Sequence, residues 1–75
     1  MKISDLKPFE DHDVTLRIRD GEVLRAKICL VDFEYEDIIV DVIKTNQPEN
    51  YRTPQASYTI AAADILDVKM NMPSK

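Results

Sequence analysis

The chain has one cysteine, one histidine and one glycine, and nowhere does it carry a long apolar run. Each scarcity closes off a class. Cys29 has no second thiol to pair with, so no internal disulfide holds the fold. Without about 18 consecutive apolar residues there is no transmembrane helix. The opening Met1-Lys2-Ile3-Ser4-Asp5 contains no apolar segment of secretory-signal length. The expectation is a cytoplasmic protein without a membrane partner. His12 lies between Asp11 and Asp13, but no serine or cysteine nucleophile stands beside it, so it reads as a solvated loop residue. Adjacent side chains seldom converge on one ion, and no second cluster has ligand spacing. The chain is therefore expected to be non-enzymatic, with no catalytic residue, metal or cofactor. Cys29 is expected to act as a small buried apolar group.

Positive charge is scarce as well. Ten basic residues stand against fourteen acidic ones, a net charge of −4. Nucleic-acid binders draw most of their non-specific affinity from phosphate neutralisation, so this balance disfavours RNA as a partner.

What is present is a hairpin. Seventy-five residues make one domain, and 44% hydrophobic residues supply one core. The expected division is a lead-in over 1–12, a barrel over 13–70 and a loose tail over 71–75. In the lead-in, Ser4 or Asp5 would cap a short helical turn that Pro8 stops, and Leu6 and Phe9 would lie together over one barrel mouth. From Val14 the pattern alternates: Val14, Leu16 and Ile18 share one face, and Thr15, Arg17 and Arg19 the other. Leu24, Ala26 and Ile28 then oppose Val23, Arg25 and Lys27. A three-residue connection, Asp20-Gly21-Glu22, with Gly21 at positive φ, would pair Ile18 with Leu24, Leu16 with Ala26 and Val14 with Ile28. That register sets Arg17 beside Arg25 and Lys27 beside Thr15 on the outer face, with carboxylates such as Glu22 nearby. The alternation breaks at Cys29-Leu30, the mark of a β-bulge.

Asp32 to Asp37 is an acidic turn with two aromatics, and the strand Ile38–Ile43 is apolar enough to be buried on both faces, the second against another subunit. Thr45 to Gln55, with two prolines, is expected to be the longest and most mobile loop. Ser57–Ile60 forms a fourth strand. Ala61 to Asp64 turns tightly, with room for one 3₁₀ turn, and Ile65–Met70 is a fifth strand. Five short strands, one of them long and kinked, predict an all-β, strongly bent small barrel.

Val14, Leu16, Ile18, Asp20-Gly21, Leu24, Ile28 and Val31-Asp32, followed by Ile38, Ile39 and Val40, resemble the first motif of the Sm-like (LSm) family. Ile60-Ala61-Ala62-Ala63-Asp64-Ile65, continued by Val68, echoes the second motif. A barrel of the Src-homology-3-like class suits the same string. The resemblance implies a five-stranded barrel, a tendency to form rings, and in the family a uridine pocket. The residues of that pocket are missing: Glu34-Tyr35-Glu36-Asp37 holds no asparagine, and Ala61-Ala62 stands where the family has Arg-Gly. Ala26 replaces the family's glycine in the second strand. Carboxylates and methyls at those places would repel phosphate and offer the base no donors.

The expected function is an interaction or assembly module whose partner is a second copy or another protein. Its candidate surface is Phe33 and Tyr35 on the acidic turn, with Tyr51 and Arg52 on the long loop. The alternative is RNA bound on a non-standard surface by Arg17, Arg19, Arg25 and Lys27.

Overall fold

The computed structural model describes residues 1–51 and 57–71. Strand β1, Asp13–Ile18, alternates as its sequence demands. Val14 and Leu16 are fully buried, Ile18 nearly so, and Thr15 and Arg17 face outward. Strand β2, Val23–Asp32, buries Leu24, Ala26 and Ile28. These alternate side chains supply one wall of the core, because successive residues of a strand point to opposite faces.

The connection between them is three residues long but shifted by one from its expected place. The Ile18 N–H donates to the Glu22 carbonyl at 2.8 Å, and the Gly21 N–H donates to the Ile18 carbonyl at 3.0 Å. The loop is thus Arg19-Asp20-Gly21. Gly21 sits at φ 95°, the left-handed region that a side chain resists. Leu16 consequently faces Leu24, and Val14 faces Ala26. The expected pairing of Leu16 with Ala26 was two residues out of register. A slip of two keeps every apolar side chain on its proper face, so burial cannot choose between the two registers; the turn does.

Cys29 is the extra residue of a bulge, since Ile28 faces Val40 while Leu30 faces Ile39. Beyond it β2 pairs with β3, Asp37–Thr45. Ile38 and Val40 are fully buried, whereas Ile39 is half-buried and Ile43 is 53% exposed. Within the protomer β3 therefore buries one face, and its other face, Ile39, Asp41 and Ile43, is half-buried or exposed. β4, Ser57–Ala61, pairs with β3, and β5, Ile65–Met70, pairs with β1. A single 3₁₀ turn at Ala62–Asp64 joins β4 to β5. The antiparallel order is β4-β3-β2-β1-β5, so β4 and β5 end the sheet.

The sheet curls around Leu16, Leu24, Ile28, Ile38 and Ile65, all essentially buried. A short helix, α1 at Ile3–Leu6, and a 3₁₀ turn at Lys7–Phe9 lie over it. Leu6 is fully buried there, and Phe9 packs partly against the core. Neither Ser4 nor Asp5 caps the helix; Lys2 is the N-cap, in extended conformation and without a side-chain bond. Asn71, expected in the loose tail, is tied down: its N–H donates to the Asp13 carbonyl at 3.0 Å, and its amide donates to the Asp13 carboxylate at 2.8 Å. The long loop contains a 3₁₀ turn at Pro48–Asn50, while residues 52–56 lie outside the described residues, as does the tail beyond Asn71.

Candidate functional site

The β2–β3 hairpin ends in an acidic tip built by Asp32. Its Oδ1 accepts the N–H groups of Glu34, at 2.9 Å, and Tyr35, at 3.2 Å, an aspartate turn that folds the chain back. Glu36 closes the turn at φ 53°. The two aromatics of this turn are exposed, Phe33 at 51% and Tyr35 at 73%. Lys7 Nζ lies 5.9 Å from the Phe33 ring centroid. Behind the tip, exposed Leu30 faces half-buried Ile39 across the ladder. Glu10 holds the lead-in against this end. Its carboxylate accepts from Lys7 at 2.7 Å and from the Val31 N–H at 2.8 Å, and these bonds keep its pKa low.

The four basic residues of the alternative nucleic-acid surface, Arg17, Arg19, Arg25 and Lys27, each have a polar or acidic neighbour in the protomer. Arg17 faces Val23 on one side and Asp67 on the other. Arg19 donates to the Ala63 carbonyl at 2.7 Å. Arg25 grips Asp13 through Nε at 3.0 Å and Nη2 at 2.7 Å, and Thr15 is its neighbour on β1. Lys27 lies between Asp13 and Asp41. The expected neighbours, Arg17 with Arg25 and Lys27 with Thr15, follow from the wrong register and are corrected with it. The Arg25 guanidinium, aided by the Asn71 amide, holds the Asp13 carboxyl below the usual range. A hydrogen bond from Ser57 Oγ at 2.7 Å leads the causes that lower Asp41.

Sequence reasoning missed the role of Glu22. It was expected as a surface carboxylate near the arginines, yet it is 4% exposed. One oxygen, Oε2, accepts both the Thr45 hydroxyl at 2.5 Å and the Tyr51 hydroxyl at 2.7 Å. Burial together with this carboxylate pushes the Tyr51 phenol pKa up. The Tyr51 ring meets Tyr58 edge to face, with centroids 4.6 Å apart. Tyr51 is thus an anchor fastening the long loop to the barrel as well as a surface residue. Arg52 lies outside the described residues.

A shallow groove of about 270 Å³ crosses the outer face, lined by Thr15, Val23, Arg25, Lys44, Thr45 and Asn46. His12 is exposed. Cys29 is half-buried at the bulge, and desolvation raises its thiol pKa, which lowers its reactivity. Among the described residues no three His, Cys, Asp or Glu side chains are grouped to hold a metal, and no helix is long and apolar enough to cross a membrane. No protein-family model matches the chain, and no curated protein matches it.

Proposed function

We propose that this chain is a non-enzymatic, cytoplasmic interaction and assembly module on an Sm-like or Src-homology-3-like barrel, with a second copy or another protein as its partner. The observation that carries this reading is the gathering of exposed apolar side chains at one end of the β2–β3 hairpin: Leu30, Phe33 and Tyr35. Two exposed aromatics on a turn braced by its own hydrogen bonds give a preordered contact surface, so little entropy is lost when a partner docks. The terminal strands β4 and β5 add backbone groups that a further strand can pair with.

The charges weigh against RNA. Arg25 is bonded to Asp13, Lys27 faces Asp13 and Asp41, Arg17 faces Asp67, and the tip itself is acidic. Titration with labelled oligouridine and oligoadenine at low and physiological salt should show no salt-sensitive binding at micromolar protein. Sedimentation velocity of the purified chain across the micromolar to millimolar range tests self-assembly. Species heavier than the 8.6 kDa protomer are expected, and a protomer mass throughout refutes the self-assembling form.

A further inference from the structure

We propose that copies of this chain dock head to tail, the acidic β2–β3 tip of one seated on a cationic row across the outer sheet face of the next. This rests on the assembly reading above and names its partner and surfaces. The row follows from register alone. Lys69 on β5 faces Thr15 on β1, Thr15 faces Arg25 on β2, and Arg25 faces Lys44 on β3. Three cations and a threonine thus stand side by side across four strands, each about 4.8 Å from the next. Arg25 and Lys44 are like charges directly opposite, an arrangement that costs stability unless an anion lies between them. Asp13, beside the row on β1, is held by Arg25. Among the described residues neither Lys44 nor Lys69 has an ion-pair partner. Exposed apolar side chains stand near the row: Val23, 43% exposed, lines the groove described above, and Ile43, 53% exposed, precedes Lys44 in the chain.

The tip offers the complement on both counts. Glu34 and Glu36 are exposed carboxylates, and Phe33 and Tyr35 are exposed rings beside them. Acid meets base and ring meets aliphatic, in a chain whose net charge of −4 makes the row a local exception. Row and tip sit at different places along β2, separated by roughly 25 Å of strand and turn. The bent ladder holds them apart, so one copy does not satisfy its own row. The contact joins two different patches, and it either closes a ring or continues as a filament.

Two variants test this: K44E/K69E reverses the row, and E34K/E36K reverses the tip. Sedimentation of the parent at low salt should show concentration-dependent association that weakens as salt rises, because exposed charges are screened beyond a Debye length of about 10 Å. Each variant alone should associate about tenfold more weakly or worse, a loss of roughly 1.4 kcal/mol or more. Mixed in equal amounts the two should recover association, since the reversed tip now fits the reversed row. Recovery also shows that both variants are folded. Association that persists unchanged in both variants, or a mixture that fails to recover it, overturns the docking mode and leaves the assembly reading standing. A parent that stays at the protomer mass removes the docking mode together with the self-assembling form of that reading.

Discussion

Tyr51→Phe isolates a single long-range bond between the long loop and the barrel, that of the Tyr51 hydroxyl to Glu22. The substitution deletes a hydroxyl and leaves the ring against Tyr58. What disappears is a 2.7 Å O–H···O⁻ bond to Glu22, whose carboxylate keeps the Thr45 hydroxyl. Hydrogen bonds to charged groups contribute about 1.5–3 kcal/mol, and Tyr51 is half-buried, so the lower end applies: about 2 kcal/mol. In a domain of this size that lowers Tm by roughly 10 °C. The same bond leaves a signature at high pH. The folded phenol pKa lies above its ordinary value of 10.0, so above that pH the unfolded chain loses a proton that the native state keeps. Stability from this group is therefore full below about pH 10 and falls by up to about 1.4 kcal/mol per pH unit above it. Urea unfolding of parent and variant at neutral pH and through the alkaline range reads both effects. The difference between the two proteins should shrink as pH rises past 10. A neutral-pH change below about 0.5 kcal/mol, with parallel alkaline limbs, would refute the anchoring role.

Three further outcomes follow from the fold. Leu16→Ala empties a fully buried site and should cost about 3 kcal/mol by chemical denaturation; a chain of this length has roughly 4–11 kcal/mol in total, so the variant should be close to unfolding at physiological temperature. Gly21→Ala meets no steric neighbour within 4 Å yet must hold φ 95°, so about 1–2 kcal/mol should be lost, whereas Gly21→Asn should lose less. Asp13, Asp41 and Glu10 all have folded pKa values below their ordinary ones, so the unfolded chain binds more protons in acid. The stability they contribute is present above about pH 4.5 and is lost as pH falls through the folded values, and Asp13→Asn should flatten that acid limb in a pH series of urea midpoints.

Most of the sheet is written in local pattern. The faces of β1 and β2, the bulge at Cys29, the 3₁₀ turn before β5 and the span of β5 itself all follow from alternation and its one interruption. Register did not follow, because the hydrophobic pattern repeats every two residues and cannot distinguish slips of two. That error carried directly into the charge map, turning Arg25–Asp13 into an imagined Arg25–Arg17 contact. Glu22 was legible in principle. It shares parity with Leu24, Ala26 and Ile28, so it belongs to the core face. Its two hydroxyl donors come from Thr45 and Tyr51, far along the chain, and only the closed sheet brings them to it. The exposed aromatics of the tip were legible as turn residues. The cationic row was not, since it draws one residue from each of β5, β2 and β3.

The most direct test is a concentration series of amide chemical shifts by nuclear magnetic resonance. As association builds, shifts should move in two clusters, one at Phe33 to Glu36 and the other around Val23, Arg25, Lys44 and Lys69, and rising salt should reverse both. Shifts that stay fixed at every concentration, or that move along β4 while both clusters stay still, would contradict head-to-tail docking.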